Sequence, residues 1–166
     1  MRFRAPSDPA LALVKQLTSG LAVPQPWDMT AFLAQVTTVV GKDILLMPLS
    51  SSAAAGMPCG LALERVEDIV IAYDANSSGY HADHIVLHEI GHLLLRHAGV
   101  APDAEQRATI GMLLPGIDPD TALQVLQRSN YDDASERQAE LFASLVMSAA
   151  RTTPTGSALR RTLFLD

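Results

Sequence analysis

An α+β fold, with a small three-stranded sheet packed on a helical core, is the class this sequence predicts. Two patterns carry it. Apolar residues recur at helical spacing around residues 29–40, 84–96 and 134–150, whereas residues 44–74 switch to short apolar runs divided by turn residues. The sheet so formed feeds straight into the most apolar of the helices, which also carries two histidines and a glutamate.

Taken in order, Ser7 or Asp8 ahead of Pro9 marks a helix start, opening a helix over residues 9–17 that Ser19-Gly20 stops. Pro24-Gln-Pro-Trp27 is a stiff connector whose tryptophan belongs to the core. Asp28 caps a second helix over residues 29–40, where Phe32, Leu33, Val36 and Val39/Val40 share a face, and Gly41 ends it. Residues 44–49 form a strand, followed by a loop of small residues to Gly60. Residues 61–64 and 68–74 form a second and a third strand, hairpin-paired through a turn near Arg65 to Glu67. Asn76-Ser-Ser-Gly79 is a turn, and a long helix begins near Tyr80 or His81. Gly99, Pro102, Gly111, Pro115, Gly116 and Pro119 break up the stretch beyond that helix, leaving a short helix over residues 120–127. Residues 129–133 are a loop ending in a cap, and a last strong helix runs from Ala134 to about Ala150. One domain is expected over residues 1–166, with 1–26 as N-terminal helix and connector and 151–166 as a tail or short closing helix.

A chain of 166 residues buries a core without metal or disulfide staples, so a bound metal would serve chemistry rather than folding. The net charge of −6 argues against a nucleic-acid surface, which needs a basic patch. The short clusters Arg2/Arg4 and Arg160/Arg161 read as solvated ends. Cys59 is the sole cysteine and reads as inert; no intrachain disulfide forms, and a reducing cytoplasm is the expected location. The apolar run after the basic start is interrupted by Lys15, too short for a signal peptide or a membrane span.

The chemistry concentrates in His84-Ile-Val-Leu-His88-Glu89-Ile-Gly91-His92-Leu-Leu-Leu-Arg96. On a helix, His88 and His92 leave the same face one turn apart, the reach needed to hold one metal ion from two sides. Polar groups on an otherwise apolar helix cost about 1–3 kcal/mol each when nothing pairs with them, and a divalent cation would supply the pairing. The pattern His-Glu-x-x-His places a glutamate where it acts on metal-bound water rather than on the metal. A third ligand is expected from the last helix, where Glu136 and Glu140 share a face with Ala139 and Ala143. The small alanines would let the two helices approach, bringing Glu136 to the metal and Glu140 to the far nitrogen of a liganding histidine. Two alternatives stay open: Asp133-Ala-Ser-Glu136 also reads as a capping box, and Glu140 is then the ligand. His84 and His97 read as polar padding on the same helix.

His88-Glu89-Ile-Gly-His92 together with Glu136-Arg-Gln-Ala-Glu140-Leu-Phe142-Ala143, preceded by the paired segments Gly60-Leu-Ala-Leu and Asp68-Ile-Val-Ile, resembles the ImmA/IrrE metallopeptidase family. The resemblance covers roughly residues 27 to 150. It implies a zincin-like minimal metallopeptidase fold, a metal held by His88, His92 and Glu136, Glu89 as catalytic base and Glu140 as the partner of a liganding histidine; ligand type makes zinc the expected metal, and manganese or iron would accept the same set. It also implies cleavage of a helix-turn-helix repressor in stress or mobile-element regulation. The chain departs from the family pattern in carrying Glu140 where Asn or Asp is commoner, in lacking an appended DNA-binding domain, and in the long Gly/Pro-containing stretch between the motifs.

Tyr131 joins Glu89 as a candidate catalytic residue, donating to the oxyanion, with Tyr80 and His84 as alternatives for that role. An extended peptide is expected to pair beside residues 68–74 as an added strand. The rival to a peptidase is a metal-holding regulatory module that sequesters or senses a partner without cutting it, in a toxin–antitoxin or mobile-element setting.

Overall fold

Each helix begins where a side-chain oxygen takes up a backbone N–H that the helix itself leaves unpaired. The computed structural model describes residues 8–50, 60–126 and 131–151; Cys59 and both arginine clusters lie outside them. Asp8 accepts from Ala10 N at the start of α1 (Pro9–Ser19), and Asp28 accepts from Ala31 N at the start of α2 (Met29–Val40). Gly41, at φ 77°, closes α2 in the left-handed conformation that glycine adopts without a steric cost. Three strands follow: β1 (Asp43–Leu49), β2 (Gly60–Arg65) and β3 (Asp68–Asp74). Ser78 caps the long helix α3 (Gly79–Leu94), and Asp103 with Gln106 forms a capping box on α4 (Ala104–Leu113). A 3₁₀ turn at Pro119–Thr121 leads into β4 (Ala122–Leu126), and α5 (Asp133–Arg151) completes the described chain.

The sheet has four strands in the order β1-β3-β2-β4, with β1 parallel to β3 and the other pairs antiparallel. The α+β class holds, but the expected three-stranded sheet gains a strand. Residues 122–126, expected to be helical, pair with β2 instead. Ala-Leu-Gln-Val-Leu is too short for its period to separate strand from helix, and an unpaired β2 edge decides the matter. Helix α4 is a second addition, in a stretch whose glycines and prolines read as loop.

The sheet is covered on both faces, which explains why β2 and β3 read as nearly continuous apolar runs. Ala62, Ile69 and Ile71 join Phe32, Leu87 and Phe142 in a core with α1, α2, α3 and α5. The alternate residues Leu61, Leu63, Val70 and Ala72 point to the other face, against Ile110 and Leu114. Because β3 lies between β1 and β2, it has no free edge. A peptide therefore cannot add beside Asp68–Asp74, contrary to the expectation from sequence; the edge strands are β1 and β4.

Helix α3 makes its most extensive packing against α5. The helices approach closely at Gly91, where a Cβ would stand 3.1 Å from Ala139 Cα and 3.2 Å from Ala139 O. Both atoms are backbone, so a side chain at 91 moves a whole helix. A Gly91→Ala variant should therefore lose about 1 kcal/mol of stability, overpacking exceeding the gain in helix propensity. Gly79→Ala, where nothing lies within 4 Å of the added carbon, should not lower the melting temperature. Thermal melts of the two variants check the contrast.

Candidate metal centre

Glu89 and His92 are the only buried polar side chains among the described residues, at 4% and 1% exposure. Both come from α3, whose register puts His88 and His92 on the face that meets α5 and Glu89 beside them. Gly60, the first residue of β2, packs so tightly here that a Cβ would stand 2.8 Å from Ile85 Cγ2 and 3.0 Å from Glu89 Oε1. The sheet thus presses directly on the Glu89 carboxyl.

His92 Nε2 lies 3.1 Å from His88 Nε2 and 3.2 Å from Glu136 Oε1, and His88 Nε2 lies 3.6 Å from Glu136 Oε2. Donors about 2.0–2.1 Å from one tetrahedral ion stand roughly 3.3 Å from each other. The three residues therefore form a group that can hold a metal ion, with Glu136 reaching it from a separate helix. In front of them opens a cavity of about 430 Å³ lined by Gly60, His81, His84, His88, Glu89, Glu136 and Glu140, among others.

Charge balance fits the same cation. Burial first, and then the neighbouring His88 and His97, lower the pKa of His92 to about 3, so it stays neutral and keeps a lone pair. Burial, reinforced by the Glu136 carboxylate, raises Glu89 to about 8. A cation among these groups would relieve the second shift and use the first.

The capping role open to Glu136 falls to other residues. The cap of α5 is Asp132, whose Oδ1 accepts from Ser135 N at 2.7 Å, leaving Glu136 one position beyond the capping-box site. Backbone hydrogen bonding at Ser135 is also what holds the exposed Asp132 carboxyl below its usual range. Glu140 Oε2 lies 3.6 Å from His88 Nδ1, beyond hydrogen-bond distance, while its Oε1 lies closer to His84 Nε2, at 3.2 Å. His84 lies on the cavity wall, outside the three-residue group that can hold a metal.

Tyr131 reaches the site from behind. Its ring stacks on His92 with centroids 3.9 Å apart and planes 11° from parallel, and its hydroxyl is buried with no hydrogen-bond partner among the described residues. Burial, then Glu89 and Glu136, raise its pKa and keep the phenol protonated. It does not line the cavity. Tyr80 is 54% exposed, under Arg151.

Sequence reasoning missed His97. Helix α3 stops at Leu94, Arg96 turns left-handed at φ 56°, and His97 N–H donates to His92 O at 3.0 Å while Arg96 N–H donates to Leu93 O at 3.1 Å. This pairing is the Schellman stop, usually made with glycine, and it folds His97 back onto His92. The signal present in the sequence was the spacing itself, five residues on from His92, which helical periodicity alone assigns to another face.

No family model, curated protein or solved structure matches the chain.

The opposed shifts predict a specific pH dependence for the metal-free protein. Between about pH 4.5 and 8 the folded state keeps a proton on Glu89 that the unfolded chain releases, so this residue lowers stability as pH rises. Between pH 6.5 and about 3 the unfolded chain takes up a proton that folded His92 refuses, so this residue lowers stability as pH falls. Glu89→Gln should therefore melt at a higher temperature than the wild type at pH 8, by several degrees, with the difference vanishing near pH 4.5. Differential scanning calorimetry in chelator across that range checks it.

Proposed function

We propose that the chain is a zinc-dependent hydrolase of peptide bonds, with His88, His92 and Glu136 as metal ligands and Glu89 as general base. The observation that carries this reading is a cage of three donors, with a buried carboxylate beside it and an open cavity in front. Structural zinc sites are closed by four protein ligands, whereas catalytic ones keep one position for water or substrate. Two imidazoles and a carboxylate suit zinc, and manganese accepts the same set. Bound there, zinc supplies Lewis-acid chemistry and brings the pKa of a coordinated water toward about 7.

The chain's own groups do the rest. Glu89, packed between Gly60 and the ligands, takes the proton of the attacking water and returns it to the leaving amine nitrogen. Its raised pKa in the metal-free protein marks it as a group that exchanges a proton near neutrality. His84 stands on the cavity wall with its Nε2 against Glu140, and is the candidate from the sequence for an oxyanion donor that lines the cavity. Tyr131 supports the reaction through the His92 ring it covers.

The resemblance to ImmA/IrrE peptidases supports a helix-turn-helix repressor as the protein that is cut. No described helix is long and apolar enough to cross a membrane.

Two variants test the reading. Glu136→Gln should weaken zinc binding by more than about 100-fold, beyond the loss that outer partners of a ligand produce. Glu89→Gln should keep its zinc and lower cleavage of a co-expressed repressor by about 10²–10⁴-fold, the usual share of a general base. If wild type and Glu89→Gln affect the repressor equally without cutting it, the domain is a metal-holding module that sequesters its partner.

A further inference from the structure

An imidazole that ligates through one nitrogen must carry its proton on the other, so whatever faces that second nitrogen decides how ready it is to bind. For His92 the facing group is another histidine: His92 Nδ1 and His97 Nδ1 are 2.8 Å apart, and His97 Nε2 is 2.9 Å from Gln138 Oε1. We propose that Gln138 and His97 form a positioning relay that holds His92 in the tautomer presenting its Nε2 lone pair to the metal. The proposal rests on the metal reading of the site and is independent of any peptidase activity.

The direction of the relay follows from which atoms can donate. Gln138 Oε1 only accepts, so His97 carries its proton on Nε2 and turns a lone pair toward His92 from Nδ1. Across 2.8 Å, one of the two facing Nδ1 atoms must then hold a proton, and it is that of His92. His92 Nε2 is left bare, 3.1–3.2 Å from the two other donors. Turned the other way, the amide would reverse every bond and leave a proton on the ligand atom.

Several independent contacts place the relay. The Schellman stop bonds the His97 backbone to His92 O. Beyond it, Gly99 N–H donates to Gln124 Oε1, and Val100 pairs antiparallel with Val125, so β4 pins the loop that carries His97. Gly99 is needed for this, since a Cβ there would stand 2.9 Å from Val125 O. Tyr131 stacks on His92 and tilts over His97 at 5.9 Å, covering both rings. Gln138 comes from α5, two residues beyond Glu136, so one helix supplies both a ligand and the far end of the relay.

Zinc affinity by chelator competition, with ¹⁵N NMR of the His92 ring in the metal-free protein, tests the proposal. His97→Ala should bind zinc about 10–100-fold more weakly than wild type and lose the Nδ1–H signature of His92. His97→Asn should recover most of the affinity, because an Asn Oδ1 sits as many bonds from the backbone as His Nδ1 and accepts the same proton. Gln138→Met, a half-buried position on the helix, should weaken binding in the same direction and mix the His92 tautomers. Wild-type affinity in His97→Ala overturns the relay, as does an Asn variant as weak as the alanine one. Should His97→Ala not fold, an unchanged affinity and His92 signature in Gln138→Met overturns it equally. A wild-type protein that binds no zinc overturns the metal reading itself, and the two failures are thus told apart.

Discussion

The approach of α3 and α5 at Gly91 and Ala139 is the contact on which the rest of the site depends. Neither residue has side-chain bulk to keep the helices apart, and the nearest atoms across the contact are backbone. At that separation a carboxylate one turn earlier on α5 meets two imidazoles on α3 at 3.2 and 3.6 Å. A wider helix pair of ordinary leucine packing, with axes about 8–10 Å apart or more, would leave Glu136 in the cavity and His92 without a counterpart. Small residues here are a means of bringing charge into reach.

That reach matters because the groups concerned are expensive to bury. Glu89 and His92 sit in the same turn and are pushed in opposite directions, one toward the protonated and one toward the unprotonated form. Both shifts have burial as their first cause, so neither is compensated by its neighbours in the metal-free protein. A cation answers both at once: it favours a charged carboxylate beside it and needs an uncharged imidazole. The large two-faced core supplies the stability that tolerates the imbalance, since the sheet is packed with apolar side chains on each side.

Much of this arrangement is legible in the sequence. The helical spacing of His88 and His92, the alanine stripe beside Glu136, the Asp8 and Asp28 caps and the hairpin of β2 and β3 all follow from local rules of period, capping and turn chemistry. One of the departures carries others with it. Residues 122–126 form a strand because β2 offers an edge; that strand anchors the loop after α3, and the loop in turn carries His97 back to His92. With a helix in place of β4, the loop beyond the Schellman stop would lose its anchor at Val100 and Gly99. The interior position of β3, which closes it to an added strand, is also a matter of which strands become neighbours.

Taken alone, the sequence determined what belongs to a single element: the two imidazoles and carboxylate on one buried helix, and the small face of another helix bearing Glu136 and Glu140. Such features repeat with the period of the backbone and need no knowledge of what lies across the core. Tertiary structure alone decided which nitrogen faces which oxygen, that Tyr131 stacks on His92, and that Gln138 and the β4-anchored loop set His97 behind His92. The Tyr131 stack on His92, the Glu136 approach and the Gln138 bond to His97 each join segments far apart in the chain. Such contacts are set by how helices and strands exclude one another's volume and satisfy one another's polar groups, and no local pattern encodes that.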